Sequence, residues 1–144
     1  MTNESKPNWR FMVLEDDDIF MELNQRILQK SGLAAEMICF DYAEKGLDEL
    51  RRRAAENLPL PDFILLDLRM PLLNGFEFLE RIKAMKDERV GKIKIHLLTS
   101  SLDENDIARA FTYSNVFGFH SKPLSVAKLD QIVKSEKPIR PLGL

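Results

Sequence analysis

Apolar and polar positions follow two rhythms along this chain. Runs that are apolar almost throughout occur at residues 11–14, 35–40, 63–66, 93–98 and 116–121. Such runs are the mark of strands buried on both faces. Between them, apolar residues recur every three or four positions, the spacing of an amphipathic helix. The first helix is predicted over 19–30, with Phe20, Leu23 and Ile27 as its inward stripe and Gly32 as its stop. A second is predicted over 42–56 around Leu47 and Leu50, and a third from Gly75 along Phe76, Leu79 and Ile82. Ser101-Leu102-Asp103-Glu104 reads as a capping box that opens a fourth, running to about Tyr113. Ser125 is placed to cap a fifth that ends near Ser135.

Five strand–helix pairs in strict alternation predict an α/β fold, a doubly wound five-stranded parallel sheet with helices on both faces. The 144 residues suit one domain with one ordinary core, spanning 9–135. Residues 1–8 and 136–144 are expected to be flexible tails, the latter carrying Pro138, Pro141 and Gly143.

Net charge is −2, with both signs interspersed, so nothing in it favours nucleic acid or an anionic membrane as partner. The basic run Arg51-Arg52-Arg53 fans around a helix and is expected to be a solvated face. No apolar stretch has the length of a membrane span or the pattern of a secretion signal. The single cysteine, Cys39, lies in an apolar segment and is expected to be a small buried side chain. A reducing, cytoplasmic setting follows. Met12, Met21, Met37, Met70 and Met85 are expected to fill core. The histidines His96 and His120 sit on strands, with no second imidazole or carboxylate at metal-ligand spacing in sequence, and strand-face packing is their expected role.

In a parallel sheet all carboxyl ends share one edge, where such folds place their chemistry. Here those ends deliver Glu15 and Asp16 after the first strand and Asp67 after the third. The fourth supplies Thr99 and Ser100, and the fifth supplies Lys122. Like charges about 4 Å apart repel by roughly 4 kcal/mol at an effective dielectric near 20, so three carboxylates there call for a cation. Oxygen-only donors without His or Cys suit a hard ion, and few carboxylates plus water suit Mg²⁺ better than Ca²⁺. A lysine and a hydroxyl facing that ion would receive phosphoryl oxygens, and a carboxylate can itself be the nucleophile. Asp67, ending the central strand, is the candidate.

These residues resemble the receiver domain of two-component response regulators, of the stand-alone chemotaxis type. The motifs are "MVLEDD", "ILLDLRMPLLNG", "LLTSS" and "FHSKP", in this order over roughly residues 9–135. The resemblance implies a flavodoxin-like (βα)₅ fold and Mg²⁺-dependent phosphorylation of Asp67 by a histidine kinase or histidine phosphotransfer protein. It implies a phosphoacceptor with self-phosphorylation and autodephosphorylation, not an enzyme acting on a separate substrate. It further implies metal contacts from Glu15, Asp16, Asp67 and the backbone carbonyl of Arg69, and phosphoryl contacts from Thr99 and Lys122. The Lys122–Pro123 peptide would be cis, and Thr99 with Phe119 would form the switch. The partner or dimer surface would be the fourth helix, fifth strand and fifth helix. With Glu15 and Asp16 as the acidic pair, Asp17 or Asp18 is left to cap the first helix; one alternative stands, slipped by one residue, with Asp16 and Asp17 as the pair.

Other classes fit less well. A haloacid-dehalogenase-type hydrolase needs a second aspartate two residues past its nucleophile, where this chain has Arg69. A nucleotide-binding α/β domain wants a glycine-rich loop after the first strand, where this chain has four acids. A degenerate receiver that only docks partners is the remaining alternative.

Overall fold

A computed structural model of the protein describes residues 8–100 and 102–141. Its elements are β1 (Trp9–Leu14), α1 (Asp18–Ser31), β2 (Ala34–Phe40), α2 (Ala43–Ala55), β3 (Phe63–Leu66), α3 (Gly75–Met85), α4 (Glu88–Gly91), β4 (Lys94–Thr99), α5 (Glu104–Ala110), β5 (Val116–Ser121) and α6 (Val126–Lys134). The five strands pair in parallel in the order β2-β1-β3-β4-β5. This is the doubly wound sheet the alternation predicts.

The order explains the composition of the strands. β1 and β3 lie inside the sheet and are covered on both faces, so Phe63–Leu66 is buried at every residue. Side chains then alternate between two cores. Met12, Leu14, Ile64, Leu66, Ile95 and Leu97 meet the helices α2, α3 and α5 through Leu47, Phe78 and Ile107. Phe11, Val13, Phe63, Leu65 and Leu98 meet α1 and α6 through Leu28, Leu129 and Ile132. Complete burial of a side chain such as Leu28 contributes about 2–3 kcal/mol.

Several local expectations are corrected. The inward stripe of α1 is centred on Asn24 and Leu28, while Leu23 is exposed, because a polar residue occupies an inward position and hides the period. Cys39 is half-buried, since β2 is an edge strand. Arg53 does not join the solvated face. Its guanidinium reaches Glu36 at 3.0 Å, Glu49 at 2.6 Å and the Pro59 carbonyl at 2.9 Å, tying α2 to β2. The short helix α4 has no sequence forecast. Helix α5 begins later than expected, because Asp103 and not Ser101 is its cap and accepts from Asn105 and Asp106 amides; Ser101 lies outside the described residues. Residues 1–7 and 142–144 also lie outside them. Residues 136–141 are not free: Ile139 bridges Gly118, and its N–H donates to the Phe117 carbonyl at 2.6 Å.

The two histidines, apart in sequence, meet in space. His96 Nδ1 and His120 Nε2 are 3.0 Å apart on the α1/α6 face, with the rings stacked at 5.2 Å. Parallel pairing of β4 with β5 sets His96 opposite Gly118, and the absent side chain leaves room for both imidazoles. Burial lowers both from their usual value, His96 to about 3 and His120 to about 4, so both are neutral.

Candidate functional site

The backbone ladder runs on past the strand ends into the site. The Glu15 amide donates to Phe40 at 3.2 Å, the Asp67 amide to Leu14 at 3.0 Å, and the Lys122 amide to Thr99 at 2.8 Å. Three residues of different strands are thereby held on one rim by main-chain bonds before any side chain interacts. Oxygens of Glu15, Asp16 and Asp67 lie within 4.8 Å of one another. Asp17 is drawn away as the N-cap of α1, where one of its oxygens accepts from Ile19 at 2.9 Å and Phe20 at 3.0 Å. The geometric triad is thus Glu15, Asp16 and Asp67, with Asp17 capping.

Lys122 enters the triad from β5. Its ammonium lies 2.8 Å from Glu15 Oε1 and 3.1 Å from Asp67 Oδ2, with all three side chains almost wholly buried. Phe20, one turn into α1, places its ring 4.6 Å from that ammonium. The contact adds a cation–π attraction that the periodicity does not reveal, because Phe20 scores only as an apolar stripe residue. The Lys122–Pro123 peptide is cis.

Burial drives the electrostatics. It raises the Glu15 carboxyl to about 7, against the pull of Lys122 and the Asp17 amide. It raises Asp16 too, with Asp67 adding to the effect. Burial alone would lower Lys122, but the hydrogen bond to Glu15 and the charges of Asp67 and Glu15 outweigh it and hold the ammonium above its ordinary value. Three carboxylates face one ammonium, a formal charge of minus two, so the donor set is short of positive charge and long in oxygen. It fits a hard dication.

The acceptor loop after β3 is tightly folded. The Arg69 amide donates to Asp67 Oδ1 at 3.2 Å and the Gly75 amide to the Leu68 carbonyl at 2.9 Å. A Cβ at Gly75 would meet Leu68 Cα at 2.8 Å, so glycine permits α3 to start against the loop. Asn74 and Glu77 form a reciprocal capping box that fixes that start. The Arg69 side chain reaches out to Asp106 of α5 at 3.0 Å, a partner with no sequence signal.

Thr99 is buried at the end of β4, and its carbonyl holds the Lys122 amide. Phe119 is 2% exposed and packs in the α2/α3/α5 core. A switch in which this ring turns inward from solvent therefore does not start from the conformation seen here. It lies opposite Leu97 of β4, in the same apolar core as Ile107 of α5.

The comparisons with known proteins agree on one family. Residues 11–134 match the model described as response regulator receiver domain. The chain is 30% identical over 134 residues to the probable methanogenesis regulatory protein FilR2 of Methanothrix harundinacea, covering 93% of this chain and 84% of that one. A crystal structure of a two component response regulator from Cytophaga hutchinsonii superposes with a TM-score of 0.81 at 28% identity, covering 90% of this chain and 96% of the other. The Mn²⁺-bound form of response regulator Rcp1 gives 0.68 at 26% identity, over 88% and 89%.

Proposed function

The chain belongs to the response regulator receiver domain family, and on that footing we propose that it accepts a phosphoryl group on Asp67 from a phosphohistidine donor. The observation that carries this is the pairing of one buried ammonium with two of three clustered carboxylates at the sheet rim. The donor would be a histidine kinase or histidine phosphotransfer protein. A carboxylate oxygen of Asp67 forms the new P–O bond as the P–N bond to the donor imidazole breaks, and that imidazole departs with a proton. Hydrolysis of the acyl phosphate by water restores the carboxylate and releases inorganic phosphate.

Glu15, Asp16 and Asp67, with the Arg69 carbonyl, would hold Mg²⁺; Mn²⁺ in the related Rcp1 structure supports a divalent ion for this site. When bound, the ion supplies charge neutralisation at the transferring oxygens. The chain's own groups do the rest. Lys122 holds a phosphoryl oxygen while remaining charged, Thr99 donates from its hydroxyl, and the Arg69 amide orients Asp67. The loop's main-chain bonds keep the nucleophile from rotating away.

The output surface proposed is α5, β5 and α6, for an unidentified protein partner or a second copy of the chain. Among the described residues no helix is long and apolar enough to cross a membrane.

The test is transfer itself. The protein mixed with a ³²P-phosphohistidine transfer protein and Mg²⁺ should gain label that is alkali-labile and absent from Asp67→Asn. Label that survives in Asp67→Asn would refute the assignment. Failure to gain label together with failure to bind Mg²⁺ by calorimetry would favour a phosphorylation-independent docking module.

A further inference from the structure

Arg69 links the acceptor Asp67 to helix α5. Its amide bonds Asp67 at 3.2 Å, and its guanidinium bonds Asp106 in the first turn of α5 at 3.0 Å. We propose that Arg69 is a phosphoryl-responsive latch: it holds Asp106 while Asp67 is a free carboxylate and transfers to the phosphoryl oxygens once Asp67 is modified, releasing α5. The inference rests on the phosphoacceptor reading above and adds the residue that carries its signal to the surface.

Charge decides the direction. The three carboxylates and Lys122 carry a formal minus two, which a bound dication brings to zero. Conversion of the Asp67 carboxylate into an acyl phosphate dianion adds one further negative charge. Arg69 begins two residues from that charge, and a guanidinium presents two parallel donors to phosphoryl oxygens, a better match than a single carboxylate at the surface. The existing pair is weakly held: the Arg69 side chain is 67% exposed, and ion pairs so placed are readily outcompeted.

The Arg69 side chain has room to leave Asp106. Leu68, Met70, Asn74, Phe76 and Arg109 line a cleft of about 410 Å³ between the acceptor loop and α5, into which Arg69 and Asp106 also project. Arg109 is occupied in stacking on Phe76 at 4.1 Å, so it stays as the cleft wall. On the far side, the Asp106 amide donates to the Asp103 cap at 3.2 Å. Release of its carboxylate therefore detaches the first turn of α5 from the acceptor loop while the Asp103 cap stays in place. Helix α5 has only seven residues, so a change at its first turn bears on the whole of this one element of the proposed output face.

The experiment measures affinity for beryllofluoride, a phosphoryl stand-in, in saturating Mg²⁺ by ¹⁹F NMR. The proteins are wild type, Arg69→Gln, Asp106→Asn, Asp106→Glu and the double variant Arg69→Gln/Asp106→Asn. Freeing Arg69 from its anchor should let Asp106→Asn bind about fivefold more tightly than wild type, the fold-change of an exposed pair. Arg69→Gln should bind less tightly, and adding Asp106→Asn to it should change nothing. Asp106→Glu keeps the anchor charge and should behave as wild type. Asp106→Asn equal to wild type, or tighter binding that persists without Arg69, overturns the latch. If wild type and all variants fail to bind beryllofluoride, the phosphoacceptor reading has fallen and the latch with it.

Discussion

Gly118→Ala probes the least expected part of the core. In β5 the added methyl would sit closer than van der Waals contact allows to both His120 Nε2 and His96 Nδ1, the two atoms that bond to each other. No positive φ is needed at Gly118, so the cost comes from packing alone. Loss of the imidazole–imidazole bond costs about 1 kcal/mol. Overpacking of a filled core costs about 1–3 kcal/mol. Alanine's better strand propensity returns about 0.5–1 kcal/mol. The expected net loss is about 1–3.5 kcal/mol, a fall in Tm of roughly 3–12 °C for a domain of this size. Urea unfolding followed by circular dichroism measures it directly. Because His96→Ala removes one of the two clashing atoms and opens space into which the His120 ring can shift, Gly118→Ala should cost less on that background than in wild type. A Gly118→Ala protein within about 0.5 kcal/mol of wild type would refute the account of this glycine. A cost unchanged by His96→Ala would refute it equally.

The buried imidazoles also set an acid limit. Their folded values lie below 6.5, so the unfolded chain takes up protons first, and stability present above pH 6.5 is lost as pH falls through about 4 and then 3. Glu15 acts oppositely, since its raised value makes its contribution complete below 4.5 and lost as pH rises through about 7. The histidine effect should therefore appear cleanly in Glu15→Gln, as a loss of at most about 4 kcal/mol between pH 6.5 and 5 in urea midpoints; a flat profile there would contradict it. Asp16→Asn removes one of three mutually repelling carboxylates that has no contact with the ammonium. It should raise the metal-free Tm by the equivalent of about 1 kcal/mol and weaken Mg²⁺ stabilisation, both read by calorimetry. Lys122→Met strips a buried cation from Glu15 and Asp67 and should cost about 3–5 kcal/mol in metal-free urea unfolding, part of it restored by Mg²⁺.

What the sequence disclosed depended on how each feature is encoded. The central strands were legible because burial on both faces leaves a continuous apolar run, as in Phe63–Leu66. Strand ends share one edge by topology, so Glu15, Asp67, Thr99 and Lys122 could be brought together without coordinates. Contacts between elements distant in sequence had no such rule. His96 with His120, and Arg69 with Asp106, depend on strand register and loop path, and neither leaves a local pattern. Asn24 broke the helical period from within, which rotated the predicted face of α1. Asp103 took the cap from Ser101 because both are good caps two residues apart, and only the helix start decides between them. Arg53 looked like its solvated neighbours until Glu36 on β2 supplied a partner.

The central claim is that Asp67 is a phosphoacceptor made competent by a divalent ion. Its most direct test is intact-protein mass after incubation with acetyl phosphate and Mg²⁺, beside Asp67→Asn and a chelated sample. The account predicts one added phosphoryl group in the wild-type protein, removed by alkali, with neither control modified. An unmodified wild-type protein that nonetheless binds Mg²⁺, or an added phosphoryl group on Asp67→Asn, would contradict it.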